Sequence, residues 1–294
     1  MNILVIGGSY FLGRWFVEYA RKEHNITVLN RGNIPIKTDG VKELLCDRHD
    51  VVTLQALASE EFDCIVDFCA YAKHDIRRIV DAFGHEGCRY IFISTVDVYL
   101  HGQDEVVSEA SLFENRVISG PEGEYINGKI ELEQELIDTC TKNAMSFSSV
   151  RPAILYGPAN YAPREAVYLN WISQAKQVIV PSDESGHFQM LYVKDAALGL
   201  VKLCELEKAK LLPAYNFCPE EISTYRSFVD CLHKISPMPF EEIPLTLDEI
   251  FKKQIPLPFP LTREESNIYS GDRLKDSGIN CTSLLDGMKA FSFQ

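Results

Sequence analysis

The sequence predicts an α/β fold: a doubly wound parallel sheet with helices on both faces and a smaller C-terminal cap. Three observations predict it. Short apolar runs alternate with stretches of helical spacing through the first half of the chain, the first of those runs ends in a cluster of glycines, and beyond Pro158 frequent prolines break the chain into short pieces. A strand buried on both faces of a parallel sheet reads as an unbroken apolar run, and strands alternating with helices make βαβ units.

Ile3 to Ile6 is too short for a helix and apolar on both faces, so it reads as the first strand. It runs into Gly7, Gly8, Ser9, Tyr10, Phe11, Leu12 and Gly13, after which Phe11, Leu12, Trp15, Phe16 and Tyr19 recur at helical spacing. A strand, a glycine turn and a helix gather backbone N–H groups and a helix N-terminus at one point, which is a seat for a pyrophosphate. The same turn can serve tight packing alone. A second strand, Ile26 to Leu29, follows at the distance a dinucleotide-binding unit requires and ends in Asn30 and Arg31. An acidic residue there would take the adenosine ribose hydroxyls and repel a 2′-phosphate. Arg31 instead offers that phosphate a planar cation, which favours NADP and leaves NAD as the alternative; its plain reading is a solvated surface arginine.

The third strand, Leu44 to Cys46, ends at Asp47 and Arg48, both expected to face the cofactor, with Asp47 placed to accept from the adenine amine or simply to sit in an exposed turn. The fourth, Asp63 to Phe68, closes with Cys69 and Ala70, small residues beside which a cofactor can lie close. The fifth, Arg89 to Ile93, delivers Ser94 and Thr95 to the same sheet edge, where ligands of open α/β sheets collect. Residues 100–123 form a long polar stretch without a sustained period, a length typical of loops that shape a site or stay loose. A helix from about Glu124 to Thr141 then carries Tyr125 and Lys129 on one face, one turn apart. A sixth strand, Phe147 to Arg151, leads to a turn at Tyr156, Gly157 and Pro158. The expected organisation is a nucleotide-binding domain of residues 1–157 with a return segment near 187–218, and a cap of residues 158–186 and 219–294.

At 294 residues, 46% hydrophobic and 24% charged, the chain has the composition of a globular protein, and a formal charge of −13 argues against nucleic acid or an anionic membrane as the main partner. Nine cysteines without a C-x-x-C pair read as reduced thiols, which points to the cytoplasm. The first strand begins at residue 3, which leaves no room for a leader, and no run reaches the length of a membrane span. Seven scattered histidines suggest no metal site, and His101 and His187 read as ordinary loop residues.

Tyr125 with Lys129 one turn later is a mechanism in outline, since a nearby ammonium stabilises a phenolate and brings the tyrosine toward neutrality. Thr95 would hold the substrate oxygen, Tyr125 would exchange its proton, and Lys129 would tune the tyrosine and hold the nicotinamide ribose. With these residues placed, the chain resembles the short-chain dehydrogenase/reductase superfamily over nearly its whole length, and within it the extended NAD-dependent epimerase/dehydratase family with its Rossmann-type fold. The resemblance rests on Gly7 to Gly13, Ser94-Thr95-Val96-Asp97-Val98-Tyr99, Tyr125-Ile126-Asn127-Gly128-Lys129, Arg151-Pro152-Ala153-Ile154-Leu155-Tyr156-Gly157-Pro158, Tyr192 to Asp195 and Asp272 to Gly278. It selects Thr95 over Ser94, four places before Tyr99, and matches Tyr125 and Lys129 to the family's Y-x-x-x-K.

Tyr10 replaces the family's middle glycine, and Ile154 and Phe188 stand where nucleotide-sugar enzymes carry an asparagine and an arginine. Asp97 alone remains of the sugar dehydratases' acidic pair. The Asn30-Arg31-Gly32 ending and the Cys46-Asp47-Arg48 turn are similar to a divergent branch that includes relatives of plastid stem-loop RNA-binding proteins. The resemblance implies an NAD(P)-dependent epimerase, dehydratase or reductase acting on a sugar, a nucleotide sugar or a related hydroxy or carbonyl compound. A homodimer is compatible with it. The rival from another class is a catalytically silent NADP-binding regulator or RNA-binding module of the same fold.

Overall fold

Apolar strands separated by amphipathic helices bury both faces when they line up in one sheet with helices packed above and below. The computed structural model, which describes residues 1–102, 105–115 and 118–293, has this arrangement. Its strands in the main sheet are β1 (Asn2–Ile6), β2 (Asn25–Asn30), β3 (Lys42–Leu45), β4 (Cys64–Asp67), β5 (Arg89–Ile93) and β6 (Ser146–Pro152). Two short strands of the C-terminal part, β7 (Ile154–Tyr156) and β9 (Met190–Tyr192), pair with each other, as do β8 (Gln177–Pro181) and β11 (Glu241–Leu245). β10 (Ala214–Phe217) returns to β6 as the seventh strand of the main sheet. The order is β10-β6-β5-β4-β1-β2-β3, and every pairing is parallel. From β1 the chain runs outward to β3, then crosses to the other side for β4 to β6. The switch falls between β1 and β4, and in open α/β sheets ligands bind at the carboxyl edge beside such a switch.

One face carries α1 (Phe11–Ala20) packed on α5 (Val193–Glu205), over a core that includes Phe16, Val28, Leu200 and Phe217. The other carries α2 (Val51–Leu57), α3 (Asp75–Phe83) and the long α4 (Gly120–Lys142), over Leu54, Ile79, Tyr90 and Leu132. A third cluster, rich in aromatics, holds the C-terminal part together: Phe188 stacks on Phe259 with ring centroids 4.3 Å apart, and Phe228 meets Phe259 edge-on.

Several boundaries differ from the sequence reading for identifiable reasons. α4 begins at Gly120 rather than Glu124, because Pro121 in its first turn already has the helical φ. β3 begins at Lys42, opposite Thr27, and so takes in the polar Glu43; an edge strand half open to water need not be apolar. Much of the polar stretch after β5 is stitched down, with Tyr99 bridging Phe113 and Val107 bridging Tyr269, although residues 103, 104, 116 and 117 of it lie outside those described. All nine cysteines are free thiols. No helix among the described residues is long and apolar enough to cross a membrane.

Candidate active site

Glycine at positions 7, 8 and 13 is required by geometry. Gly7 and Gly8 have φ of +89° and +80°, and a Cβ on Gly13 would stand 2.7 Å from the Gly8 Cα, so α1 could not approach β1 so closely with any other residue there. Tyr10 is tolerated because its φ of −120° is ordinary extended backbone and its ring, with 59% of the residue exposed, points away from the turn. Phe11 and Leu12 are buried beneath the turn. No side chain caps the start of α1 and its first turn holds no acid, so its N–H groups are open to an anion.

At the end of β2, Asn30 is fully engaged. Its Oδ1 accepts from Gly32 N at 2.7 Å, while its Nδ2 donates to Glu43 Oε1 at 2.8 Å and lies 3.4 Å from Ser9 Oγ. Arg31 beside it is exposed. Asp47 accepts from the backbone N–H of His49 and from its ring, both at 2.9 Å; chiefly that backbone bond holds its carboxyl below the usual range. Arg48 requires a correction to the expectation that it faces the cofactor. It is buried and donates to both oxygens of Asp67, at 2.9 and 2.8 Å, because the fully buried Asp67 carboxylate at the end of β4 needs a partner. Tyr90 Oη and Cys69 N complete the Asp67 shell at 2.6 and 3.0 Å. Cys69 abuts the glycine turn, with its Sγ 3.0 Å from where a Gly7 Cβ would be, and burial pushes its thiol up to about 12.

The carboxyl ends of β4 and β5 meet α4 at Lys129. Its ammonium, on a residue only 3% exposed, donates to Ala70 O at 3.1 Å and Ile93 O at 2.9 Å, with the rings of Tyr71 and Phe92 each 4.7 Å away. Desolvation outweighs the neighbouring Asp67 charge and lowers its pKa to about 8. One turn earlier, Tyr125 shares a hydrogen bond with the Thr95 side chain. Thr95 donates its own hydrogen to Asp97 Oδ2 at 2.7 Å, whereas Ser94 Oγ is buried with no partner among the described residues. Thr95, Tyr125 and Lys129 therefore stand together.

One electrostatic expectation is reversed. Lys129 lies 5.8 Å from the centre of the Tyr125 ring, yet the phenol is held well above its ordinary pKa. Desolvation is the largest cause and the Asp97 carboxylate the next, even though 40% of the residue is exposed. The ligand-free chain thus keeps Tyr125 protonated at neutral pH.

Ile154 is half-buried, and Phe188 is sealed in the aromatic cluster, edge-on to Tyr225 and stacked on Phe259. His187 donates its backbone N–H to Ser266 Oγ and His101 pairs with Glu114. No cluster of metal-ligating side chains occurs among the described residues. Three neighbours went unread in the sequence. Tyr161 meets Tyr10 and Phe11 edge-on at 6.2 and 6.1 Å, Tyr269 packs on Tyr99 at 6.0 Å near Asp97, and Glu43 reaches Asn30. Glu43 was passed over because a strand read from its apolar residues begins at Leu44, although the register beside β2 puts Glu43 on the face of Asn30.

The sequence profile of the NAD dependent epimerase/dehydratase family matches residues 3–217. Among curated proteins, the chloroplast stem-loop binding protein of 41 kDa b from Arabidopsis thaliana is 25% identical over 264 residues, which is 82% of this chain; the chain spans 65% of that relative's length. Among solved structures, UDP-glucose 4-epimerase of Thermus thermophilus in complex with NAD superposes with a TM-score of 0.75 at 19% identity, covering 98% of this chain and 97% of that one. UDP-glucuronic acid 4-epimerase from Bacillus cereus, in complex with UDP-glucuronic acid and NAD, gives 0.76 at 17% identity, covering 99% and 97%. At these identities the superpositions establish the fold.

Proposed function

The chain belongs to the NAD dependent epimerase/dehydratase family, a family of nicotinamide-dependent enzymes, and from that premise we propose that it moves hydride between a bound nicotinamide dinucleotide and a hydroxyl-bearing carbon of a sugar or related polyol. The observation that carries this reading is the convergence of Thr95, Tyr125 and Lys129 at the carboxyl ends of β4 and β5, beside the strand pair where the sheet order switches. The residues fit the cofactor: two glycines at positive φ, an uncapped α1 N-terminus and a small-residue wall at Cys69 and Ala70 make room for it. When bound, it supplies the hydride.

The chain's own residues handle the proton. Tyr125, a phenol at neutral pH, gives its proton to a substrate oxygen as that oxygen gains charge, and takes it back in the reverse direction. Thr95, its hydrogen held by Asp97, presents an oxygen lone pair toward the tyrosine. Lys129 spends two N–H bonds on the ends of β4 and β5 and so holds both strands and a positive charge under the site.

Arg31 supports NADP(H) over NAD(H), since a charge-assisted pair with a 2′-phosphate contributes roughly 1.5–3 kcal/mol, or about ten- to a hundredfold in affinity. The two solved neighbours hold NAD, which is the alternative cofactor for this chain. Their substrates are UDP-sugars by name; Ile154 and the sealed Phe188 deprive this chain of two nucleotide-gripping side chains, which supports a sugar or polyol over a sugar nucleotide. We assign substrate binding to a cap of residues 158–186 and 219–294 and, from the nine free thiols, favour a reducing compartment such as the cytoplasm. A homodimer is testable by light scattering.

A thermal-shift screen of the NADPH complex against free sugars, polyols, sugar nucleotides and small ketones tests the substrate class. A ligand of the native state at a hundredfold excess over its dissociation constant adds about 2.7 kcal/mol of stability. Response to ketones alone would sink the sugar reading. The Arabidopsis relative's name supports a second reading, RNA binding without turnover, against which the net charge of −13 weighs. Salt-sensitive retention of a stem-loop RNA on a filter, with no turnover, would favour it.

A further inference from the structure

The end of β2 carries no acidic residue, yet a carboxylate reaches the same place from the neighbouring strand. Glu43 lies on β3 with its Cα in register with Val28, so its side chain and that of Asn30 emerge on one face of the sheet. The single Asn30 Nδ2 bonds Glu43 Oε1 at 2.8 Å and touches Ser9 Oγ, within the glycine turn, at 3.4 Å. Glu43 Oε1 also accepts from Ile36 N at 3.1 Å, which fixes the carboxylate rather than leaving it to swing into water. Two hydrogen-bond lengths therefore separate a fixed anion from the phosphate turn. One of the two acceptor sites of Asn30 Oδ1 is already taken by Gly32 N.

Opposite charges thus flank the end of β2: exposed Arg31 follows Asn30 in the chain, and Glu43 is bonded to Asn30 from the side. We propose that Glu43 is the second determinant of cofactor choice, a counterweight to Arg31 that disfavours a 2′-phosphate and keeps the chain open to both NAD(H) and NADP(H). This rests on reading the carboxyl edge beside the switch as a dinucleotide site. Arg31 attracts the extra phosphate and Glu43 repels it, so the preference of the unmodified chain is smaller than Arg31 alone would give. NADH, lacking that phosphate, is nearly indifferent to Glu43.

The test is a fluorescence titration of the full chain with NADH and NADPH, which needs no substrate. Glu43→Gln keeps an acceptor for Asn30 and Ile36 while removing the charge. It is expected to tighten NADPH about tenfold, on the scale of a close like-charge contact partly screened by water, and to change NADH less than about twofold. Arg31→Ala, at an exposed position that does not endanger folding, supplies the reciprocal result. There Glu43 acts unopposed, NADPH binds about tenfold more weakly than NADH, and adding Glu43→Gln brings the two together. Equal NADH and NADPH affinities in Arg31→Ala, or an unchanged ratio in Glu43→Gln, would overturn the role of Glu43 while leaving the dinucleotide site intact. If neither cofactor binds the unmodified chain, the site reading fails and this inference falls with it.

Discussion

The two ends of the candidate site are built by different means. The end proposed for the adenosine is a matter of backbone: glycines at positive φ, an open helix N-terminus and strand ends fixed by register, all within the first 50 residues. The end proposed for the substrate is a matter of side chains brought from afar, with Asp97 after β5, Tyr125 on α4 and Tyr269 from the C-terminal part drawn together. Each end rests on a buried arginine. Arg48 pairs with Asp67 beneath the first, and Arg151 pairs with Glu133 of α4 beneath the second. Arg151 also donates to Tyr99 Oη and to Glu109 O, so it ties the helix of Tyr125 and Lys129 to the segment after β5, whereas Arg48 ties the end of β4 to the start of α3. A backbone site is rigid and general; a site of convergent side chains can change its substrate one residue at a time.

Removing the partner of a buried arginine gives the largest expected effect. Asp67→Ala strands Arg48 with only Asp75 at 3.5 Å and also deprives Tyr90 and Cys69, and should cost about 3–5 kcal/mol in urea unfolding. Glu133→Ala should cost less, because Arg151 keeps Tyr99 and Glu109; a larger loss there would reverse the comparison. Phe188→Ala should come next, about 3 kcal/mol from the lost stack on Phe259, with dinucleotide affinity unchanged if the two ends are independent. Gly13→Ala should cost about 1–3 kcal/mol through overpacking against the Gly8 backbone and should abolish dinucleotide binding, the reverse pattern.

A smaller effect follows from Lys129. Burial lowers its folded-state pKa to about 8 from an ordinary 10.5, so between these values the unfolded chain binds the extra proton. Stability relative to Lys129→Met should therefore rise as pH climbs from 8 toward 10.5, by on the order of 1–3 kcal/mol. A fall across that window would show that the ammonium is stabilised by its two carbonyls more than burial disfavours it.

What the sequence made legible follows the same division. The alternation of apolar runs and helical spacing is enough to place the strands along the chain, because a parallel sheet buries both faces of each one. The pairing of Tyr125 with Lys129 is visible because helix periodicity places residues four apart on one face. The inward turn of Arg48 was hidden, since the buried Asp67 that claims it lies 19 residues away, across the sheet. Glu43 was hidden by an edge strand whose polar residues break the apolar pattern. The raised pKa of Tyr125 depends on desolvation and on Asp97, neither of which spacing alone reports.

Everything proposed for the substrate end depends on Tyr125 exchanging a proton with substrate while hydride moves to or from the cofactor. Nicotinamide absorbance at about 340 nm during single turnover follows that hydride directly. The chain is saturated in cofactor and given the ligand found by thermal shift, and the unmodified chain is compared with Tyr125→Phe. With 40% of the residue exposed, the variant should unfold within about 0.5 kcal/mol of the unmodified chain and bind cofactor and ligand as before. The expected result is an absorbance change in the unmodified chain that slows by at least about a hundredfold in Tyr125→Phe. An undiminished rate in the variant would contradict the proton-transfer role of Tyr125.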